Sequence, residues 1–160
     1  MATSNISPSM ALKVGSKAPE LKLTDEAGNP FKLSSLKGKT VVLYFYPKAD
    51  TPGCTTESCE FRDHSPAFAG KDAVIIGISP DASKAQLKFK SKFDLPFTLL
   101  ADFEHAGAEA YGVWKEKSMY GKTYMGVERT TFIIGPDGKI KQIFEKVKPA
   151  GHAAEVLAAI

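Results

Sequence analysis

The stretch Val41-Val42-Leu43-Tyr44-Phe45-Tyr46-Pro47-Lys48-Ala49-Asp50-Thr51-Pro52-Gly53-Cys54 decides how this chain is read. The run from Val41 to Tyr46 is unbroken, apolar and rich in β-branched and aromatic residues, as in a strand buried on both faces. The end of the stretch announces a helix. Thr51 suits the cap, and Pro52 suits the first helical position, where its missing N–H needs no partner. Pro52 also pushes Thr51 out of helical angles, which fixes the boundary. Counting on, Gly53 is the second helical residue and Cys54 the third. A thiol in that turn feels the partly positive N–H groups of the helix start, which favour the thiolate. Gly53 leaves room for another group to approach the sulfur.

Downstream, the helix is predicted to run to about Phe68, with Ser65-Pro66 marking an end or a kink. Ala73 to Ser79 is a second apolar strand, stopped by Pro80. The strands at 40–46 and 73–79 are joined by a helix, so they should be parallel, with a right-handed crossover. A helix over 82–93, with Leu87, Phe89 and Phe93 for its buried side, a short strand at 97–100 and a short helix from Glu104 to Tyr111 follow. Thr131 to Ile134 and Lys139 to Phe144 straddle Gly135-Pro136-Asp137-Gly138, a hairpin signal, before an Ala-rich helix from His152 to Ile160. Upstream, Glu20 to Thr24 and Pro30 to Leu33 flank a turn-rich connection, and Ser34 to Lys39 makes a short turn or helical piece. The sum is an α/β protein, a central mixed sheet flanked by helices, whose order resembles a thioredoxin-like fold. Residues 1–11 read as a flexible tail and 12–160 as one domain.

Composition narrows the function classes. The net charge of +3 is spread along 160 residues with no run of five basic residues, which argues against nucleic-acid or membrane partners. Lys84, Lys88, Lys90 and Lys92 fit a solvated helix face. No apolar stretch is long enough to span a bilayer, and the polar N-terminus lacks the marks of a secretory or transit signal. With only two cysteines the chain is no secreted disulfide scaffold, and a cytoplasmic protein is expected, or a plastid one if the source is a plant. A C-x4-C pair needs two further metal ligands, and His64, His105 and His152 have no finger-like spacing. Those histidines read as surface or capping residues, and no metal or other cofactor is expected. The absence of C-x-x-C argues against a general dithiol oxidoreductase.

Cys59 lies five residues beyond Cys54. On an ideal helix that places the two about 140° apart around the axis, with Cα atoms roughly 8.7 Å apart. A disulfide needs about 4.4–6.8 Å. The pair cannot bond while the helix is intact. An inert core cysteine at Cys54 and a transient disulfide that unwinds the first turns both remain open.

Pro47, Thr51 and Cys54 match the P-x-x-x-T-x-x-C signature of peroxiredoxins, and Arg129, in Arg129-Thr130-Thr131-Phe132, resembles their catalytic arginine. The fuller strings Pro52-Gly53-Cys54-Thr55-Thr56-Glu57-Ser58-Cys59 and Gly121-Lys122-Thr123-Tyr124-Met125-Gly126-Val127-Glu128-Arg129 resemble the peroxiredoxin Q subgroup, also called bacterioferritin comigratory protein. The similarity covers roughly residues 12–160.

That resemblance implies a thiol peroxidase acting on hydrogen peroxide and organic hydroperoxides. Cys54 would attack the O–O bond and become a sulfenic acid. Thr51 would hydrogen-bond the peroxide and the sulfur, Arg129 would favour the thiolate and stabilise charge on the oxygens, and Pro47 would shield the sulfur. Cys59 would be the resolving cysteine, forming a transient disulfide reduced by thioredoxin or a similar dithiol. The chain has no third cysteine, so resolution by a partner subunit is not expected and a monomer is favoured, with Phe103, Trp114 and Tyr120 available for a weak dimer contact. A redox-controlled interaction protein and a one-cysteine peroxidase are the competing readings.

Overall fold

A computed structural model describes residues 12–160; the tail expected over 1–11 lies outside them. The strands, in chain order, are β1 (Lys22–Asp25), β2 (Pro30–Lys32), β3 (Thr40–Phe45), β4 (Ala73–Ser79), β5 (Thr98–Ala101), β6 (Trp114–Met119), β7 (Lys122–Val127), β8 (Thr130–Ile134) and β9 (Ile140–Phe144). The helices are α1 (Pro52–Gly70), α2 (Ser83–Phe93), α3 (Ala106–Ala110) and α4 (His152–Ala158), with a 3-10 turn at Leu33–Leu36. Seven strands form one mixed sheet in the order β2-β1-β5-β4-β3-β8-β9. The apolar run became β3, parallel to β4 on one side and antiparallel to β8 on the other.

Alternation along β3 divides the core in two. Val41, Leu43 and Phe45 pack with Ile76, Ile78 and Phe132 on one face. Val42, Tyr44 and Tyr46 pack on the other with Phe61 and Phe68 of α1, Phe89 of α2 and Val156 of α4, and Cys54 joins this second cluster. Because helices or loops cover both faces, every position of the strand can be apolar. Tyr44 lies opposite Gly77 of β4, where a Cβ would come within 2.9 Å of its ring. Glycine there lets the ring lie flat across the sheet, so that its hydroxyl meets Ser58 of α1 at 2.8 Å.

Three expectations change, and one hairpin joins the elements expected. Helix α1 does not end at Ser65-Pro66 but continues through Pro66 to Gly70, close to the expected limit near Phe68. Phe61 and Phe68, both buried, anchor it on either side, and their burial outweighs one missing backbone hydrogen bond. On α2, Leu87 is 46% exposed while Gln86 is buried in its place, with its amide fully paired. His152 is no surface residue. It is buried between Phe61 and Phe144, with Nε2 2.7 Å from the Thr131 hydroxyl, and burial lowers its pKa. Finally, residues 114–127 form a separate hairpin, β6–β7, turning at Tyr120-Gly121 with both residues at positive φ. Its turn lacks the Asn-Gly or Asp-Gly that marks such hairpins in sequence.

Candidate active site

Helix α1 begins where the sequence places it. Thr51 has extended angles, φ −103° and ψ 157°, and Pro52 opens the first turn. Cys54 is the third helical residue and only 1% exposed. The Thr51 carbonyl accepts the Thr55 N–H at 2.8 Å. Among the described residues the Gly53 and Cys54 N–H groups have no partner, so the helix start keeps free donors beside the sulfur.

The Thr51 hydroxyl does not cap the helix. It donates to the Lys48 carbonyl at 2.8 Å, within the loop from Pro47 to Thr51. A hydroxyl committed that way cannot donate to the sulfur, but its lone pairs stay open to accept a proton donor. Pro47 is half-buried in the same loop.

Arg129 arrives from the link between β7 and β8. Its Nη2 lies 3.4 Å from Cys54 Sγ, and its Nη1 donates to Glu57 Oε1 at 2.7 Å. Gly53 makes the approach possible: a Cβ there would stand 3.1 Å from Nη2. The side chain is 15% exposed, and its guanidinium lies against the thiol rather than in solvent. Burial works against its charge, but Glu57 and Cys54 more than offset that and hold it more firmly protonated.

Glu57 is the site residue that the motif reading passed over. It is fully buried, and its Oε2 has no hydrogen-bond partner among the described residues. Burial, against the pull of Arg129, pushes its carboxyl up to about 7. A signal was present. Cys54, Ser58 and Phe61 form the buried stripe of α1, and Glu57 falls on it, one turn from the cysteine. Lys117 of β6 stands in the same field, its ammonium pushed down by burial and by Arg129, with its stem against Gly126.

Cys59 is half-buried further along α1, and both cysteines are free thiols. The structure thus brings Cys54, Arg129 and Glu57 together, sets Thr51 at the helix entrance, and leaves Cys59 apart within an intact helix. Among the described residues no cluster of three His, Cys, Asp or Glu side chains could hold a metal, and no helix is long and apolar enough to cross a membrane.

A thioredoxin-like sheet with a buried thiol at a helix start, clamped by an arginine, defines a thiol-based redox protein. A family model described as AhpC/TSA family matches residues 14–143. The chain belongs to that family and, within it, is a peroxiredoxin of the Q, or bacterioferritin comigratory, type. Peroxiredoxin Bcp of Bacillus subtilis is 54% identical over 148 residues, covering 92% of this chain and 94% of the relative. A variant of Xanthomonas campestris peroxiredoxin Q superposes with a TM-score of 0.83 at 44% identity, covering 87% of this chain and 88% of that one. A second Xanthomonas campestris structure, of bacterioferritin comigratory protein and concerned with alkyl peroxide reduction, gives 0.83 at 43% identity over the same shares.

Proposed function

We propose that residues 12–160 form one catalytic unit that reduces hydrogen peroxide and organic hydroperoxides through Cys54. The observation that carries this reading is the Arg129 guanidinium, held by Glu57 and aimed at the Cys54 sulfur at 3.4 Å. The thiolate attacks one peroxide oxygen, the O–O bond breaks, and sulfur loses two electrons to become Cys54 sulfenic acid. The other oxygen leaves as alkoxide or hydroxide and takes up a proton. Arg129 and the free N–H groups of the first turn stabilise the charge that grows on the oxygens. The Thr51 hydroxyl accepts the hydrogen of the incoming peroxide, and Pro47 limits access of water to the sulfur.

Cys59 then attacks the sulfenic sulfur, expelling water and forming a Cys54–Cys59 disulfide. The helix geometry requires the first turns of α1 to open for this step. Thioredoxin or a similar dithiol reduces the disulfide by thiol exchange, supplying two electrons. The protein works as a cytoplasmic monomer and needs no metal or organic cofactor. Alkyl peroxide reduction by the Xanthomonas campestris relative supports the substrate class.

Rapid mixing of reduced protein with hydrogen peroxide and with cumene hydroperoxide tests the reading. One equivalent of peroxide should disappear as Cys54 becomes sulfenic acid and then disulfide. Cysteines left reduced after excess peroxide would dismiss it.

A further inference from the structure

The loop that carries Pro47 and Thr51 is held from outside the motif. The Ala49 N–H donates to Asp81 Oδ2 at 2.8 Å. The same oxygen accepts the Ser79 hydroxyl at 2.6 Å. Ser79 Oγ accepts the Gln86 side-chain amide at 2.9 Å, and that amide also donates to the Leu100 carbonyl at 2.8 Å. The Gln86 oxygen accepts the Tyr46 hydroxyl at 2.6 Å. The polar chain therefore starts at the end of β3, crosses α2 and β4, and returns to the loop at Ala49. A second tie, Lys92 Nζ to the Asp50 carboxylate at 3.0 Å, is exposed and contributes little.

This network is not what packing alone would select. Tyr46, Ser79 and Gln86 are all buried, Tyr46 within the second apolar cluster, and a buried polar group is costly unless its hydrogen bonds are made. A leucine at position 86 would fill space without that demand. Saturated polar networks fix one geometry, and the part of the molecule fixed here is the backbone that enters α1. Neither Asp81 nor Gln86 is hydrogen-bonded to Cys54 or Arg129.

We propose that Asp81 is a positioning residue, which tethers Ala49 so that Thr51 and the first turn of α1 stand closed around Cys54. It also sets how readily that turn opens. This rests on the peroxidase reading above. With the tether, a turn that has opened closes again in register, because its upstream end never moved. Without it, the Ala49 N–H is left without its acceptor in the closed state but finds water in the open one, so the balance moves toward opening.

The test compares Asp81→Ala with Asp81→Asn, each in the native chain and in a Cys59→Ser background. Asp81→Ala in the Cys59→Ser background should slow the reaction of Cys54 with hydrogen peroxide on the order of tenfold, as fits loss of a hydrogen bond to a charged acceptor. In the native chain it should raise the ratio of disulfide to Cys54 sulfinic acid, the product of a second peroxide, by a similar factor. Asp81→Asn keeps an oxygen that can accept both donors, so it should restore most of each property. Amide exchange in Asp81→Ala should quicken over 49–55 while β4 stays protected. An unchanged rate and ratio would overturn the proposal, and so would exchange quickening equally in β4 or a failure of Asn to rescue. The exchange measurement needs no peroxide. A wild-type chain inert to peroxide would sink the peroxidase reading and leave the tether to be decided by exchange alone.

Discussion

Glu57 and Arg129 meet at 2.7 Å beneath the thiol, the carboxylate fully buried and the guanidinium nearly so. The second arm of the same guanidinium reaches Cys54 Sγ at 3.4 Å. One cation therefore faces two acidic groups. The planar fork of arginine allows this, since it presents separate N–H donors in a fixed geometry that a lysine lacks. Glu57 holds the fork in place, and its own burial raises its affinity for a proton.

That raised affinity makes stability depend on pH. With Glu57 pushed up to about 7 from an ordinary 4.5, the native state binds more protons than the unfolded state between those values. Its contribution is fully present below pH 4.5 and is lost as pH rises through 7. The loss from this group is on the order of 3 kcal/mol. Urea unfolding of the reduced protein from pH 4 to 8 should show this decline, and Glu57→Gln should flatten it. Parallel pH profiles for the two proteins would refute the assignment.

Removing the clamp should slow chemistry more than it disturbs the fold. Arg129→Met should lower the rate constant for peroxide attack by roughly a hundredfold or more, the scale seen when a charge-stabilising donor is lost. Arg129→Lys should recover only part, because one ammonium cannot serve Glu57 and Cys54 together. Stopped-flow kinetics measured with an intact far-ultraviolet spectrum would decide it. A wild-type rate constant in Arg129→Met would return Arg129 to a structural role.

The cysteines should separate cleanly. Cys54→Ser should abolish peroxide reduction, because a hydroxyl is scarcely ionised at neutral pH. Cys59→Ser should react once and accumulate a sulfenic acid that dimedone traps. Sustained turnover of the Cys59 variant with thioredoxin would show that resolution runs through another route.

Oxidation should melt the start of α1. Amide protection over 54–61 should fall sharply in the disulfide form, while β4, in the middle of the sheet, stays protected. Contacts of Phe61 with Tyr44, at 4.7 Å between ring centroids, should loosen with it. Equal protection in reduced protein and a verified Cys54–Cys59 disulfide would exclude local unfolding.

Much of this was legible in the chain. The strand in the run from Val41, observed as Thr40–Phe45, the helix entrance at Thr51-Pro52 and the place of Cys54 in the first turn follow from rules that act within a few residues. The parallel pairing of β3 with β4 follows as well, since a helix joins them. Other features needed the assembled molecule. Leu87 is exposed and Gln86 buried because Tyr46 just past β3, Ser79 of β4 and Leu100 of β5 satisfy the Gln86 amide, and no helical periodicity can see them. The Thr51 hydroxyl turns back to Lys48 for a reason of loop geometry rather than capping preference. Arg129 and Cys54 are 75 residues apart, and only the β7–β8 link and the bare Cα of Gly53 bring them into contact. Local sequence fixes where a thiol sits along a helix, because backbone angles and end effects are local. Which charges surround it is a matter of distance through space, and that distance exists only once the sheet has formed.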